Sequence, residues 1–170
     1  MTDKNRPTCE FLFVYGNLRR NGNNNLRQLL TSYADFIDDA CYQGKLYLID
    51  YYPGVVASDN PLDRVKGETY YLHKPNFVLS QLDVYEECSS HFVQPTEYIR
   101  EIKSVQLANG KTIPAWLYTY NFGTENLKPI VSGDFVKIKN TSTYWPWYFL
   151  IWMASSSLTI TTGIKRATSC

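Results

Sequence analysis

The sequence predicts an α+β domain, a small mixed-sheet barrel with flanking helices. Three observations carry that prediction. Five or six short stretches rich in Val, Ile, Tyr and Phe are punctuated by Gly, Pro and Asn. Two main segments show the 3.6-residue spacing of an amphipathic helix. The 170 residues, 44% hydrophobic and 15% aromatic, can fill one core but are too few for two.

Residues 1–8 are polar and end in Pro7-Thr8, which reads as a flexible N-terminus ahead of a domain over residues 9–140. Phe11-Leu12-Phe13-Val14-Tyr15 is a continuous apolar run, the pattern of a buried strand, and Gly16-Asn17 ends it. Turn residues follow. Leu26, Leu29 and Leu30 then lie on one helical face, with Asn24 or Asn25 as a candidate cap. A strand is expected from Ala40 to Ile49, broken by Tyr52-Pro53-Gly54, and Val55-Val56-Ala57 makes a short extended piece. The next strand, Val65 to Leu72, contains Gly67, which points to a bulge or a close approach by other atoms.

Pro75 suits the first turn of a second helix. Val78, Leu79, Leu82 and Tyr85 share one face, leaving Gln81, Asp83 and Glu87 mostly on the other, and the helix should end near residues 85–87. A polar connector over residues 88–97 leads to a strand from Tyr98 to Leu107. Asn109-Gly110 signals a hairpin with a type I′ turn, because both residues tolerate positive φ. The return strand, Thr112 to Tyr120, puts Trp116, Tyr118 and Tyr120 on one side.

Residues 141–170 form an atypical apolar tail. Trp145 to Met153 is crowded with bulky rings, then gives way to Ser and Thr, and no charge falls between Lys139 and Lys165. The run loses its apolar character after about ten residues and holds Pro146, whereas a spanning helix wants roughly 20 apolar residues. Docking onto the domain or a partner is favoured over membrane contact, with a poorly folded tail as the other reading.

Lys plus Arg total 17 against 16 for Asp plus Glu, so no basic footprint for nucleic acid exists. Cys9, Cys41, Cys88 and Cys170 are too far apart for a metal-binding pattern, as are His73 and His91. Scattered cysteines without a secretory signal suit reduced thiols and a cytoplasmic location. No metal and no cofactor is expected.

Two places can carry chemistry. The backbone at Tyr15-Gly16-Asn17-Leu18 leaves the end of a strand where glycine removes side-chain bulk, so its amides can approach a carboxylate. A plain chain-reversing turn explains the same residues. Glu86 ends an amphipathic helix beside Tyr85, where partial burial would raise its pKa toward the range useful for proton transfer. A solvated helix end is the bland reading of that glutamate.

A resemblance bears on both. Phe13-Val14-Tyr15-Gly16-Asn17-Leu18-Arg19 resembles the opening of the gamma-glutamylcyclotransferase family, including its AIG2-like and gamma-glutamylamine relatives. Matching segments follow in order: Gly44-Lys45-Leu46-Tyr47, Tyr52-Pro53-Gly54-Val55, residues 65–70, Leu82-Asp83-Val84-Tyr85-Glu86, residues 97–100, residues 115–120 and Ser132-Gly133-Asp134-Phe135. The resemblance implies an enzyme that cyclises a gamma-glutamyl amide to 5-oxoproline and releases an amine, with a small-molecule gamma-glutamyl substrate as its partner. It implies Glu86 as the catalytic acid and base. Tyr15, Gly16, Asn17 and Leu18 would anchor the substrate carboxylate, and Tyr98 and Tyr118 would line the pocket. Asn17 stands where the family has threonine or serine, and the tail has no counterpart. The competing expectation is a non-catalytic binding or interaction domain of the same fold.

Overall fold

The computed structural model describes residues 9–20 and 26–141. The expected N-terminal segment, the candidate caps Asn24 and Asn25, and nearly all of the apolar tail lie outside them. Among the described residues the order is β1 (Phe11–Val14), α1 (Leu26–Tyr33), β2 (Ala34–Leu48), β3 (Pro53–Ala57), β4 (Arg64–Leu72), α2 (Pro75–Tyr85), β5 (Tyr98–Leu107), β6 (Thr112–Tyr120), β7 (Lys128–Pro129) and α3 (Phe135–Thr141).

Five strands close on themselves in the order β2-β4-β1-β6-β5, and a β2–β5 pairing shuts the ring. β1 is central. It runs antiparallel to β4, with Val14 opposite Glu68, and parallel to β6, with Leu12 opposite Trp116. Burial on both sides explains why its four residues are a continuous apolar run. β2 is long enough to serve twice. Its Ala34–Gln43 part pairs with β4, and Gly44–Leu48 turns away to pair with β3.

The buried side chains fall into two clusters because strand residues alternate faces. Phe13, Tyr15, Val65, Val105, Ala115, Leu117 and Phe135 belong to the barrel interior. Leu12, Val14, Leu18, Leu30, Val78, Leu82, Tyr98 and Tyr118 pack between the barrel and the helices α1 and α2. β6 shows the division directly, with Ala115 and Leu117 in the first cluster and Trp116, Tyr118 and Tyr120 in the second, as its alternation predicts. Gly67 marks a close approach: a Cβ there would collide with the Phe13 ring and the Val14 carbonyl.

Three expectations need correction. β2 begins at Ala34, not Ala40, because α1 runs straight into a register that already pairs Ala34 with Leu72. The hairpin at Asn109-Gly110 is not a two-residue type I′ turn. The Gly110 amide donates to the Leu107 carbonyl, the Leu107 amide donates to the Lys111 carbonyl, and only Gly110, at φ 85°, has a positive φ there. This is a three-residue loop, a turn closed by a left-handed glycine. Asp83, expected on the outer face of α2, is half-buried and fully engaged, as described below.

Candidate active site

Glu86 caps the C-terminus of α2, its amide donating to the Leu82 carbonyl at 2.8 Å. The helix then stops abruptly. Glu87 takes the left-handed conformation at φ 50°, its amide donates to the Val84 carbonyl, and the Cys88 amide reaches back to the Asp83 carbonyl at 3.0 Å. This is the pairing of a Schellman motif, with glutamate at the position glycine usually fills.

Burial, and after it the charge of Glu97, push the Glu86 carboxyl up to about 7. Desolvation disfavours the charged carboxylate, and a like charge adds to that cost. Two phenols share this environment. Tyr15 and Tyr98 are raised by burial, and the Glu86 charge adds to both. Their hydroxyls are held by backbone: Tyr15 donates to the Tyr118 carbonyl at 2.8 Å, and Tyr98 donates to the Pro53 carbonyl at 2.9 Å. Glu97 is also raised, chiefly by burial, and the Tyr52 hydroxyl donates to it.

The segment after β1 closes tightly, with the Arg19 amide donating to the Gly16 carbonyl at 3.3 Å. Gly16 faces the Pro53 ring, where an added Cβ would stand 3.0 Å from the proline Cγ, and the carbonyl of that proline holds the Tyr98 hydroxyl. Leu18 is buried in the cluster under the helices, and Asn17 is half-buried. Beneath this segment lies Glu68, 2% exposed, which accepts from the Arg20 amide and the Tyr70 hydroxyl, each at 2.8 Å, and lies 3.5 Å from Arg19 Nε. Arg19 continues to Asp134 at 2.9 Å. A buried carboxylate is retained only when so many donors meet it.

Tyr15, Tyr98 and Glu86 thus come together, with Gly16 against Pro53 at their edge. Tyr118 stands differently. Its carbonyl accepts from the Tyr15 hydroxyl, and its own hydroxyl donates to Asp83 at 2.8 Å. Glu97, Tyr52, Asp83, Glu68 and Arg19 were not singled out as site residues from sequence. The legible signal was position: Glu68 is a charged residue inside an otherwise buried strand, and Asp83 lies one helical turn before Glu86. Among the described residues no group of three or more His, Cys, Asp or Glu is placed to hold a metal ion, and no helix is long and apolar enough to cross a membrane.

The model of the gamma-glutamyl cyclotransferase, AIG2-like family matches residues 12–137. The gamma-glutamylcyclotransferase family protein YtfP of Escherichia coli K12 is 33% identical over 126 residues, covering 74% of this chain and 95% of that protein. The solution structure of Escherichia coli YtfP superposes with a TM-score of 0.52 at 29% identity, covering 76% of this chain and 98% of that one. An AIG2-like protein from mouse superposes with a TM-score of 0.54 at 25% identity, covering 68% of this chain and 80% of that one. The barrel, the ordered motifs and these matches agree, and the chain belongs to the gamma-glutamyl cyclotransferase, AIG2-like family.

Proposed function

We propose that the chain converts a gamma-glutamyl amide to 5-oxoproline, with Glu86 carrying the proton both ways. The observation that supports this most is the Glu86 carboxyl, raised to about 7 and set beside Tyr15 and Tyr98. A group of that pKa is near balance between its two forms at neutral pH, which suits an acid and base acting in one cycle.

In this reading the ionised Glu86 takes a proton from the substrate α-ammonium. The freed amine nitrogen attacks the γ-carbonyl carbon of the same molecule, forming the ring C–N bond. The amide C–N bond then breaks, and Glu86 returns its proton to the departing nitrogen. The ring nitrogen sheds its second proton to water, from which the released amine takes one up, so atoms and protons balance without a cofactor. Ring closure is intramolecular, so holding the glutamyl part folded supplies much of the rate. Gly16, Asn17 and Leu18 anchor the glutamyl carboxylate through backbone amides, Tyr15 and Tyr98 shape the wall, and Tyr118 fixes Tyr15.

The test is incubation of purified protein with glutathione, gamma-glutamyl amino acids and gamma-glutamyl-lysine compounds, measuring 5-oxoproline. Release from at least one is expected. A folded protein that releases none from the whole panel would sink the proposal.

A further inference from the structure

We propose that Asp83 is a positioning residue that sets the Glu86 carboxylate against the Tyr15–Leu18 segment by clamping the last turn of α2 to β5 and β6. This rests on the reading of Glu86 given above. Asp83 precedes Glu86 by three residues, which places it about one helical turn away. Its carboxylate is used on both oxygens. Oδ1 accepts from the Tyr118 hydroxyl at 2.8 Å, and Oδ2 accepts from Arg100 Nη1 at 2.8 Å. Such charge-assisted bonds are short and strong, and a merely solvated helix face requires neither.

The partners are themselves fixed. The Arg100 guanidinium lies over the Trp116 ring, 4.7 Å from its centroid, so it is held between β5 and β6. Tyr118 links the two halves of the site, because its hydroxyl meets Asp83 while its carbonyl holds the Tyr15 hydroxyl. Asp83 also governs the chain after Glu86. Its carbonyl accepts the Cys88 amide, and its Oδ1 accepts the Cys88 thiol at 3.4 Å. Glu86 is therefore fixed from the helix before it and from the turn behind it. That turn needs holding, since Glu87 occupies a left-handed conformation unfavourable for a residue with a Cβ.

Position can be separated from charge. The groups that bear on Glu86 electrostatically are Glu97 from the connector, Tyr15 just after β1, Tyr98 from β5 and Cys88 from the turn. Burial and Glu97 raise Glu86, but Asp83→Asn also removes a negative charge about one turn away, which lowers a carboxyl even without movement, so the charge-neutral Tyr118→Phe is the deciding variant. Asp83→Asn keeps an acceptor for Tyr118 but turns a donor on Arg100.

The experiment is a carbon-13 titration of the Glu86 carboxyl in the full chain, in the parent, Asp83→Asn and Tyr118→Phe, alongside steady-state kinetics and melting. The titration needs no substrate, so it decides the clamp even if no compound in the panel yields 5-oxoproline. We expect the Glu86 midpoint to fall by about one unit or more toward an ordinary glutamate. With an active substrate, kcat should drop about tenfold or more while KM changes far less. A folded variant whose Glu86 titrates as in the parent, whatever its melting temperature, overturns the proposal. Tyr118→Phe removes the same hydrogen bond with no change of charge, keeping the ring and the carbonyl that holds Tyr15, so a fall in Asp83→Asn without one in Tyr118→Phe reports charge alone and also overturns the proposal.

Discussion

The Tyr52 hydroxyl lies 3.1 Å from each carboxylate oxygen of Glu97. The acid whose charge raises Glu86 is thus held by a phenol that is itself pushed up, first by burial and then by Glu97. Removing that charge should be visible at Glu86. A base must be ionised to act, so kcat/KM should rise with pH through a midpoint near 7. In Glu97→Gln the midpoint should move to lower pH, because a like charge no longer disfavours the Glu86 carboxylate. A pH profile whose rising limb stays in place, or moves up, would remove Glu97 from this role.

Glu86→Gln should lower kcat by about a hundredfold or more while leaving the fold intact. Its effect on stability has a definite sign. The folded-state value is about 7 against an ordinary 4.5, so the folded protein binds the proton more tightly than the unfolded chain. The contribution of Glu86 to parent stability is therefore greatest below the ordinary value and falls as pH rises through that interval. The glutamine variant escapes this loss. At pH 8 it should exceed the parent by up to about 3 kcal/mol, with the difference vanishing near pH 4. Urea unfolding at both values checks it.

Glu87→Gly should raise stability by about 1 kcal/mol, since glycine adopts the left-handed conformation without the Cβ clash that Glu87 bears at φ 50°. A lower urea midpoint for the variant would mean that the glutamate side chain contributes more than its backbone costs.

Glu68→Ala should be the most damaging of these changes. It leaves the Arg20 amide and the Tyr70 hydroxyl without their acceptor, and Arg19 loses one of its two acidic neighbours. Breaking a buried charge pair on one side costs about 3 kcal/mol or more. Because Glu68 underlies residues 19–20, the adjoining Tyr15–Leu18 segment should loosen as well, raising KM for a gamma-glutamyl substrate. Chemical unfolding and KM, measured together, test both parts.

Local pattern determined a good deal about this protein. The apolar run at residues 11–15, the alternation in β6 and the spacing of Val78, Leu79 and Leu82 each specify an element, because a strand or helix face depends on neighbours within a turn or two. The same locality placed Glu86 at a helix end. It also misled at Asn109-Gly110, where the number of loop residues depends on the β5–β6 register and not on the dipeptide. It misplaced Asp83 too, since helical spacing separates faces but does not say whether a β-strand partner covers the second one.

Only the tertiary structure decided what closes the barrel and what surrounds the acids. The β2–β5 pairing joins Ala40 to Leu107, and the parallel β1–β6 pair sets Leu12 against Trp116. Those contacts depend on strand order, which no short window of sequence encodes. Ordering the strands brought Tyr98 and Glu97 to Glu86, Arg100 and Tyr118 to Asp83, and Glu68 beneath Arg20. Burial then set the Glu86 carboxyl near 7, because a carboxylate's pKa follows the water and charges around it, and those are assembled by the fold.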